Sequence, residues 1–358
     1  VSARTDDLTV AHDHRIRARI RASLISLVVA VVLFGVKFWA WHLTGSTAIL
    51  SDALESIVNI VASAVAAFSV WFASRPADEN HPYGHGKVED FSAGFEGALI
   101  VLAAVGILIS AVPRFFDPAV LERIDSGLLL VFAAAVVNLV LGLFLVRQGR
   151  RHFSRALEAD GRHVLADVIT SAGAIGALIV VSATGWLWVD PLVACLIAGQ
   201  ILFSGFGLIR ESVGRLMDEA DVHVLDRVSE RLQESRPPHW IDVHELRAWW
   251  AGDVMHVDLH MALPRYWSIE QSYAEATALE QEIGRAEGRR SSVVVHVDPC
   301  RPRMCPECAV ENCPVRASEF VGHRVWTKEH LVRTVPPEIP AERGEAESTP
   351  DARSRRDG

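Results

Sequence analysis

The sequence predicts an α-helical membrane protein of six transmembrane helices, followed by a small cytoplasmic α+β domain of αββαβ order. Three observations carry that prediction. Half of the 358 residues are hydrophobic and the mean hydropathy is +0.22, too apolar for a soluble chain of this length. Six apolar runs, roughly 24–43, 47–73, 91–112, 127–146, 163–183 and 186–209, each reach the about 20 residues that a helix needs to cross hydrocarbon. From about residue 216 no such run recurs, and amphipathic and alternating patterns take over.

Positive residues orient the bundle. Arg15, Arg17, Arg19 and Arg21 precede the first run, Arg75 and Lys87 follow the second, Arg147, Arg150, Arg151, Arg155 and Arg162 surround the loop after the fourth, and Arg210 and Arg215 follow the sixth. The opposite side holds only Arg114 and Arg123, so both termini are expected in the cytoplasm, as for a multi-pass protein of the cytoplasmic membrane. The first run shows no small-residue cleavage pattern, so no cleavable signal peptide is expected. The formal net charge of −9 falls largely in the second half and gives no case for a nucleic-acid partner.

The organisation expected is a solvated basic arm over 1–20, a transport domain over 21–215, the α+β domain over 216–300, a cysteine-rich extension over 301–329 and a disordered Pro-, Glu- and Arg-rich tail over 330–358. In the first span Lys37 either pairs with an intramembrane carboxylate or snorkels. The second span carries Asp52, Glu55 and Asn59 at i, i+3 and i+7, one stripe of a helix. The fifth carries His163 and Asp167 at i, i+4. Buried oxygen and imidazole ligands of this kind are the makings of a metal site. Glu96, shallow in the third span, and Asn138, deep in the fourth, read as interhelical hydrogen-bonding groups or as further polar sites.

The loop after the second span, Asp78-Glu79-Asn80-His81-Pro82-Tyr83-Gly84-His85-Gly86-Lys87, reads either as a clasp for a divalent ion through Asp78, His81 and His85 or as a polar turn capping the third helix. In the α+β domain the pattern predicts helix 221–234, strand 240–250, strand 254–263, helix 268–287 and strand 292–298. Alternation puts Val257, Leu259, Met261 and Leu263 on one face of the second strand and His256, Asp258 and His260 on the other. With His244, His296 and Asp298 these form a candidate second cluster. Cys300, Cys305, Cys308 and Cys313 then follow as Cys-x4-Cys-x2-Cys-x4-Cys, either a sulfur-only zinc site or free thiols.

Taken together, Thr44-Gly45-Ser46 before Ser51-Asp52-Ala53, His81-Pro82-Tyr83-Gly84-His85-Gly86-Lys87, His163-x3-Asp167 and His296-Val297-Asp298-Pro299 resemble the cation diffusion facilitators over residues 20–300. The resemblance implies a six-span metal transporter with a ferredoxin-like cytoplasmic domain, not an enzyme. It implies Glu55, Asn59, His163 and Asp167 as the transport site, Asp78, His81 and His85 as the loop site, and His244, His296 and Asp298, with Asp258 or His260, as the cytoplasmic site. Tyr273 stands where some members have histidine. A homodimer is implied, with Lys87 and Asp218 as its charge pair.

The expected substrate is a divalent metal ion, zinc first and iron, manganese or cobalt next. The same ion acts as regulator, protons serve as counter-ion and membrane lipid surrounds the bundle; no catalytic cofactor is expected. Metal and proton compete for the same deprotonated ligands, which suggests efflux by antiport. Two rival readings are a membrane-tethered metal sensor and an intramembrane metalloenzyme. The second lacks a His-Glu-x2-His pattern, and no phosphate loop for ATP is visible.

Overall fold

The computed structural model describes residues 2–44, 47–116, 127–186, 188–287 and 290–334. Six long helices come first: α1 (Ser2–Thr44), α2 (Thr47–Ala73), α3 (Lys87–Ala111), α4 (Gly127–His152), α5 (Arg155–Thr184) and α6 (Val189–Leu216). Among the described residues, five of them are long and apolar enough to cross a membrane on their own. The first four turns of α5 hold Glu158, Asp160, Arg162, His163 and Asp167. Its polar load is offset by partners on neighbouring helices.

The helices pack chiefly as α3 on α6, α4 on α5 and α1 on α2, and α5 also touches α2 and α3. Small residues set the closeness of two of these crossings. A Cβ on Gly97 would meet Ile209 at 2.9 Å and the Gly205 carbonyl at 3.1 Å, and one on Gly161 would meet the Val146 backbone nitrogen at 2.7 Å. Gly97 therefore brings α3 against α6, and Gly161 brings α5 against α4. An alanine at either position would push the pair apart.

Two sequence expectations change at the edges of the bundle. The residues expected as a solvated arm continue α1 as helix, and Arg19 is buried. Its guanidinium pairs with Glu89 at 3.5 Å and donates to the His152 carbonyl at 2.6 Å, while Ser154 donates to Glu89 at 2.5 Å. A buried ion pair holds only when its remaining polar atoms are satisfied, and here the His152 carbonyl, Ser154 and Asp253 supply the partners. The second change is the arginine-rich loop between α4 and α5, which shrinks to Phe153 and Ser154. Its arginines stand on helix ends.

After α6 come α7 (Val222–Ser235), β1 (Asp242–Ala251), β2 (Val254–Leu263), α8 (Ile269–Glu287) and β3 (Ser291–Pro299). This is the helix–strand–strand–helix–strand order expected. The sheet order is β1-β2-β3. Gly252 turns the β1–β2 hairpin at φ +62°, in the left-handed region that L side chains avoid. The bonds Met255 N→Arg290 O and Cys300 N→Leu263 O run in step, so β3 lies parallel to β2. Leu259, Met261 and Leu263 on β2, Leu232 of α7, and Leu279 and Ile283 of α8 are all buried.

Beyond the sheet, a short 3-10 helix α9 (Pro302–Glu307) and one turn of helix, α10 (Lys328–Leu331), are ordered. Residues 330–334, expected as the start of the tail, are folded against the sheet domain. Leu331 is fully buried and His330 and Arg333 both bond Asp242. Residues 335–358 lie outside the described residues, as do the side chains of Asp52 and Glu55.

Among the described residues two compact units emerge, one up to Asp221 with Ala248–Val257 and Glu287–Ser292, the other Val222–Arg247 with Asp258–Ala286 and the residues from Val293 on.

Candidate metal centres

Within the bundle, Asn59 on α2 faces α5. Its amide Nδ2 donates to Asp167 Oδ2 at 2.6 Å, and its Oδ1 accepts from His163 Nε2 at 3.1 Å. Three of the four residues expected as the transport site are therefore joined directly. Glu55, one turn before Asn59, lies outside the described side chains. His163 is 3 % exposed, so its imidazole works in a medium where charge is costly.

Sequence reasoning missed part of this polar interior. Asp160 sits at i−3 from His163 and i−7 from Asp167, on the same face of α5, and is fully buried. It accepts from Ser63 at 3.1 Å, and Ser63 in turn shares a hydrogen with Ser26 at 3.1 Å. Glu96, read as shallow, is also fully buried and lies within electrostatic reach of Asp160 and Asp167. Both Glu96 oxygens and Asp160 Oδ2 lack a hydrogen-bond partner among the described residues. The i, i+3, i+7 spacing of Asp160, His163 and Asp167 was the available signal. Asn138 is half-buried, and Lys37 is buried in α1.

In the loop, Asp78, His81 and His85 offer three ligand atoms within 4.8 Å of one another. Asp78 Oδ1 accepts from the backbone of His81 at 2.7 Å and of Asn80 at 3.0 Å, and the His85 Nε2 approaches Oδ2 to 3.3 Å. The His81 backbone N–H, ahead of the other donors, holds the Asp78 carboxyl below its ordinary value. His85 is buried edge-on against Phe72, which fixes its ring.

In the sheet domain, His244 on β1, His260 on β2 and Asp298 on β3 form a second such group. Asp298 Oδ2 stands 3.0 Å from His260 Nδ1 and 3.4 Å from His244 Nε2. Three neighbouring strands thus put one side chain each into one volume. His296 lies beside it, its ring 4.5 Å from that of His260 and its Nε2 3.6 Å from Asp298 Oδ1. Asp258 is not in the group, and His256 stacks instead on Trp249. Behind His244 stands Asp242, unremarked in the sequence, with His330 at 2.7 Å and Arg333 at 2.9 Å. Burial pushes the Asp242 carboxyl up, but bonds from His244 and His330 and the charge of Arg333 outweigh it and hold the group well below the usual range.

Residues 23–217 match the family described as the cation efflux transmembrane domain, and residues 220–300 match the cation efflux protein cytoplasmic domain. The chain belongs to the cation efflux, or cation diffusion facilitator, family. It is a transporter rather than an enzyme. An uncharacterized transporter of Synechocystis is 36% identical over 278 residues, 77% of this chain and 89% of the relative. Cation-efflux pumps FieF of Shewanella oneidensis and Escherichia fergusonii are each 30% identical, covering 78% of this chain and 93% and 92% of their own lengths.

Against this cation efflux background, the other expected positions fall as follows. Lys87 Nζ meets Asp218 Oδ1 at 2.8 Å within one chain, and Asp218, two residues past the end of α6, lies in the left-handed region at φ 57°. Tyr273 is exposed on α8. All four clustered cysteines line one cavity, yet no three of their sulfurs lie within 4.8 Å of one another. Burial, the largest influence, pushes the Cys308 thiol up.

Proposed function

We propose that this cation efflux transporter exports a divalent metal ion, zinc first, from the cytoplasm in exchange for protons. The observation that carries the reading is Asn59 bridging Asp167 and His163 inside the bundle. An ion entering there would exchange its hydration shell for Asn59, His163, Asp167 and Glu55, since bare charge in hydrocarbon costs many kcal/mol. This donor set is two carboxylates, an amide oxygen and an imidazole. It is harder than a structural zinc site and keeps iron(II), manganese(II) and cobalt(II) as competitors.

The same groups bind metal only when deprotonated, so a proton arriving from outside displaces the ion. In this reading the loop ligands Asp78, His81 and His85 form a second site. His244, His260, His296 and Asp298 sense metal in the cytoplasmic domain and favour a homodimer, which supports regulation rather than conduction. Both termini lie in the cytoplasm, and the protein sits in the cytoplasmic membrane.

The test is metal competition for uptake into proteoliposomes under an imposed pH gradient. Zinc flux should rise with the gradient, acidify the metal-donating compartment and be inhibited by the other ions in proportion to their affinity. Flux indifferent to the gradient sinks the antiport. Metal binding without any flux would move the protein to the sensor class.

A further inference from the structure

The C-terminal extension holds the strongest feature that transport leaves unused. Cys300 is the last residue matched to the family, and Cys305, Cys308 and Cys313 lie beyond it. Cys300 leaves the end of β3, Cys305 sits in α9, Cys308 ends that helix, and Cys313 follows in the loop. All four thiols face one cavity walled by Ile241, Pro264, Met304 and Val310, and all four are free thiols.

The surrounding backbone is arranged as it is around bound thiolates. The Arg265 N–H points at Cys300 Sγ and the Ala317 N–H at Cys305 Sγ, each at 3.4 Å. Arg316 gathers the loop from the side, donating to the carbonyls of Cys305, Cys308 and Val310 at 3.3, 3.2 and 2.6 Å. Donors converging on sulfur stabilise the charged form, which a neutral thiol in an apolar wall does not need. The segment also needs a fastening. Apart from α9 and α10 it has no regular structure, and short irregular segments rarely offset their ordering entropy with apolar contacts alone.

We propose that Cys300, Cys305, Cys308 and Cys313 hold a thiophilic metal centre that staples the extension to the end of the sheet. Its ligands are four sulfurs, a soft set unlike the oxygen-rich sites that would carry cargo, so the ion is resident rather than transported. Zinc with bonds of about 2.3 Å draws four sulfurs to roughly 3.8 Å apart. Here no three sulfurs lie within 4.8 Å, so a single zinc ion requires χ1 rotations that close the cage. An iron–sulfur core would take the same four thiolates at wider spacing, and the closely lined cavity would have to open to admit it.

The experiment uses the full chain, purified in detergent under reducing, anaerobic conditions and dialysed against a weak carboxylate chelator to strip exchangeable ions. Zinc, iron and acid-labile sulfide are counted per chain in wild type and in Cys305→Ser/Cys308→Ser. The expected result is one zinc ion, or iron with matching sulfide, retained by wild type and lost from the double variant. Should the variant misfold, alkylation of wild type mapped by mass spectrometry decides. Cys300, Cys305, Cys308 and Cys313 should resist as a set and become reactive together on adding a strong chelator, with Cys195 in α6 as unresponsive reference. Equal metal content in both proteins, alkylation indifferent to chelator, or disulfides among the four would overturn the centre. Transport measurements do not bear on this result, because the proposal does not rest on them.

Discussion

Asn59 on α2 donates its amide to the Asp167 carboxylate on α5 at 2.6 Å, tying together two helices at the most polar point of the bundle. The same amide group accepts from His163, so one neutral side chain orders two of the groups that a cation would need. An ion entering there would have to break both bonds.

Asp167→Ala should abolish transport, because it removes a charged ligand where little water can replace it. Losing one partner of a buried polar contact costs about 3 kcal/mol, a fall of about 100-fold in flux or more. His163→Ala should do the same and also flatten the pH dependence. Wild-type flux in either variant, measured in proteoliposomes, would place the conducting site elsewhere.

Asn59→Asp should strengthen binding of every divalent ion and move the pH optimum for loading upward, since the added carboxylate attracts protons as well as metal. The metal-free variant should unfold at lower temperature, because an ionised aspartate cannot donate to Asp167. The ranking among zinc, iron, manganese and cobalt should shift by no more than about tenfold, or about 1.4 kcal/mol, as amide and carboxylate are both hard oxygen donors. A larger inversion, or an unchanged pH profile, would remove Asn59 from the ligand set.

Glu96→Gln should weaken divalent-ion affinity by about tenfold, or about 1.4 kcal/mol, by removing a carboxyl that an ion bound near Asp160 and Asp167 would ionise. It should also raise the unfolding temperature of the metal-free protein, because a buried group that can ionise beside two other acids is replaced by an amide that cannot. Unchanged affinity and unchanged stability together would show that Glu96 is spectator to the ion.

Asp242 predicts an acid limit for the sheet domain. Its folded-state carboxyl is held below the unfolded value, so its stabilisation is present above the ordinary carboxylate range and is lost as pH falls toward the depressed value. Acid unfolding of the full chain, followed by tryptophan fluorescence, should shift to higher pH in His330→Ala/Arg333→Ala, which removes two of the partners that lower it. An identical acid transition in that variant would mean that Asp242 does not set the limit.

The fold was legible in residue order because its signals are local. Apolar runs long enough for hydrocarbon marked the bundle, and alternation along 254–263 marked a strand with one buried face. His163-x3-Asp167 and Asp78-His81-His85 needed only short-range spacing. Boundaries set by distant contacts were not legible. Arg19 is polar in sequence, and Glu89, the His152 carbonyl and Asp253, all distant along the chain, make its burial tolerable. His330 looked like the start of a tail until Asp242 gave it a partner.

The sequence by itself determined the membrane class, the αββαβ order and most candidate ligands, because hydropathy and periodicity are properties of neighbouring residues. Tertiary structure alone decided how the ligands meet: Asn59 as a bridge between His163 and Asp167, Glu96 near Asp160, and His244 with His260 and Asp298 rather than with Asp258. Those meetings depend on how closely helices and strands approach. Gly97 and Gly161 set two helix approaches and strand pairing sets the sheet, and no spacing along the chain encodes the distance across them.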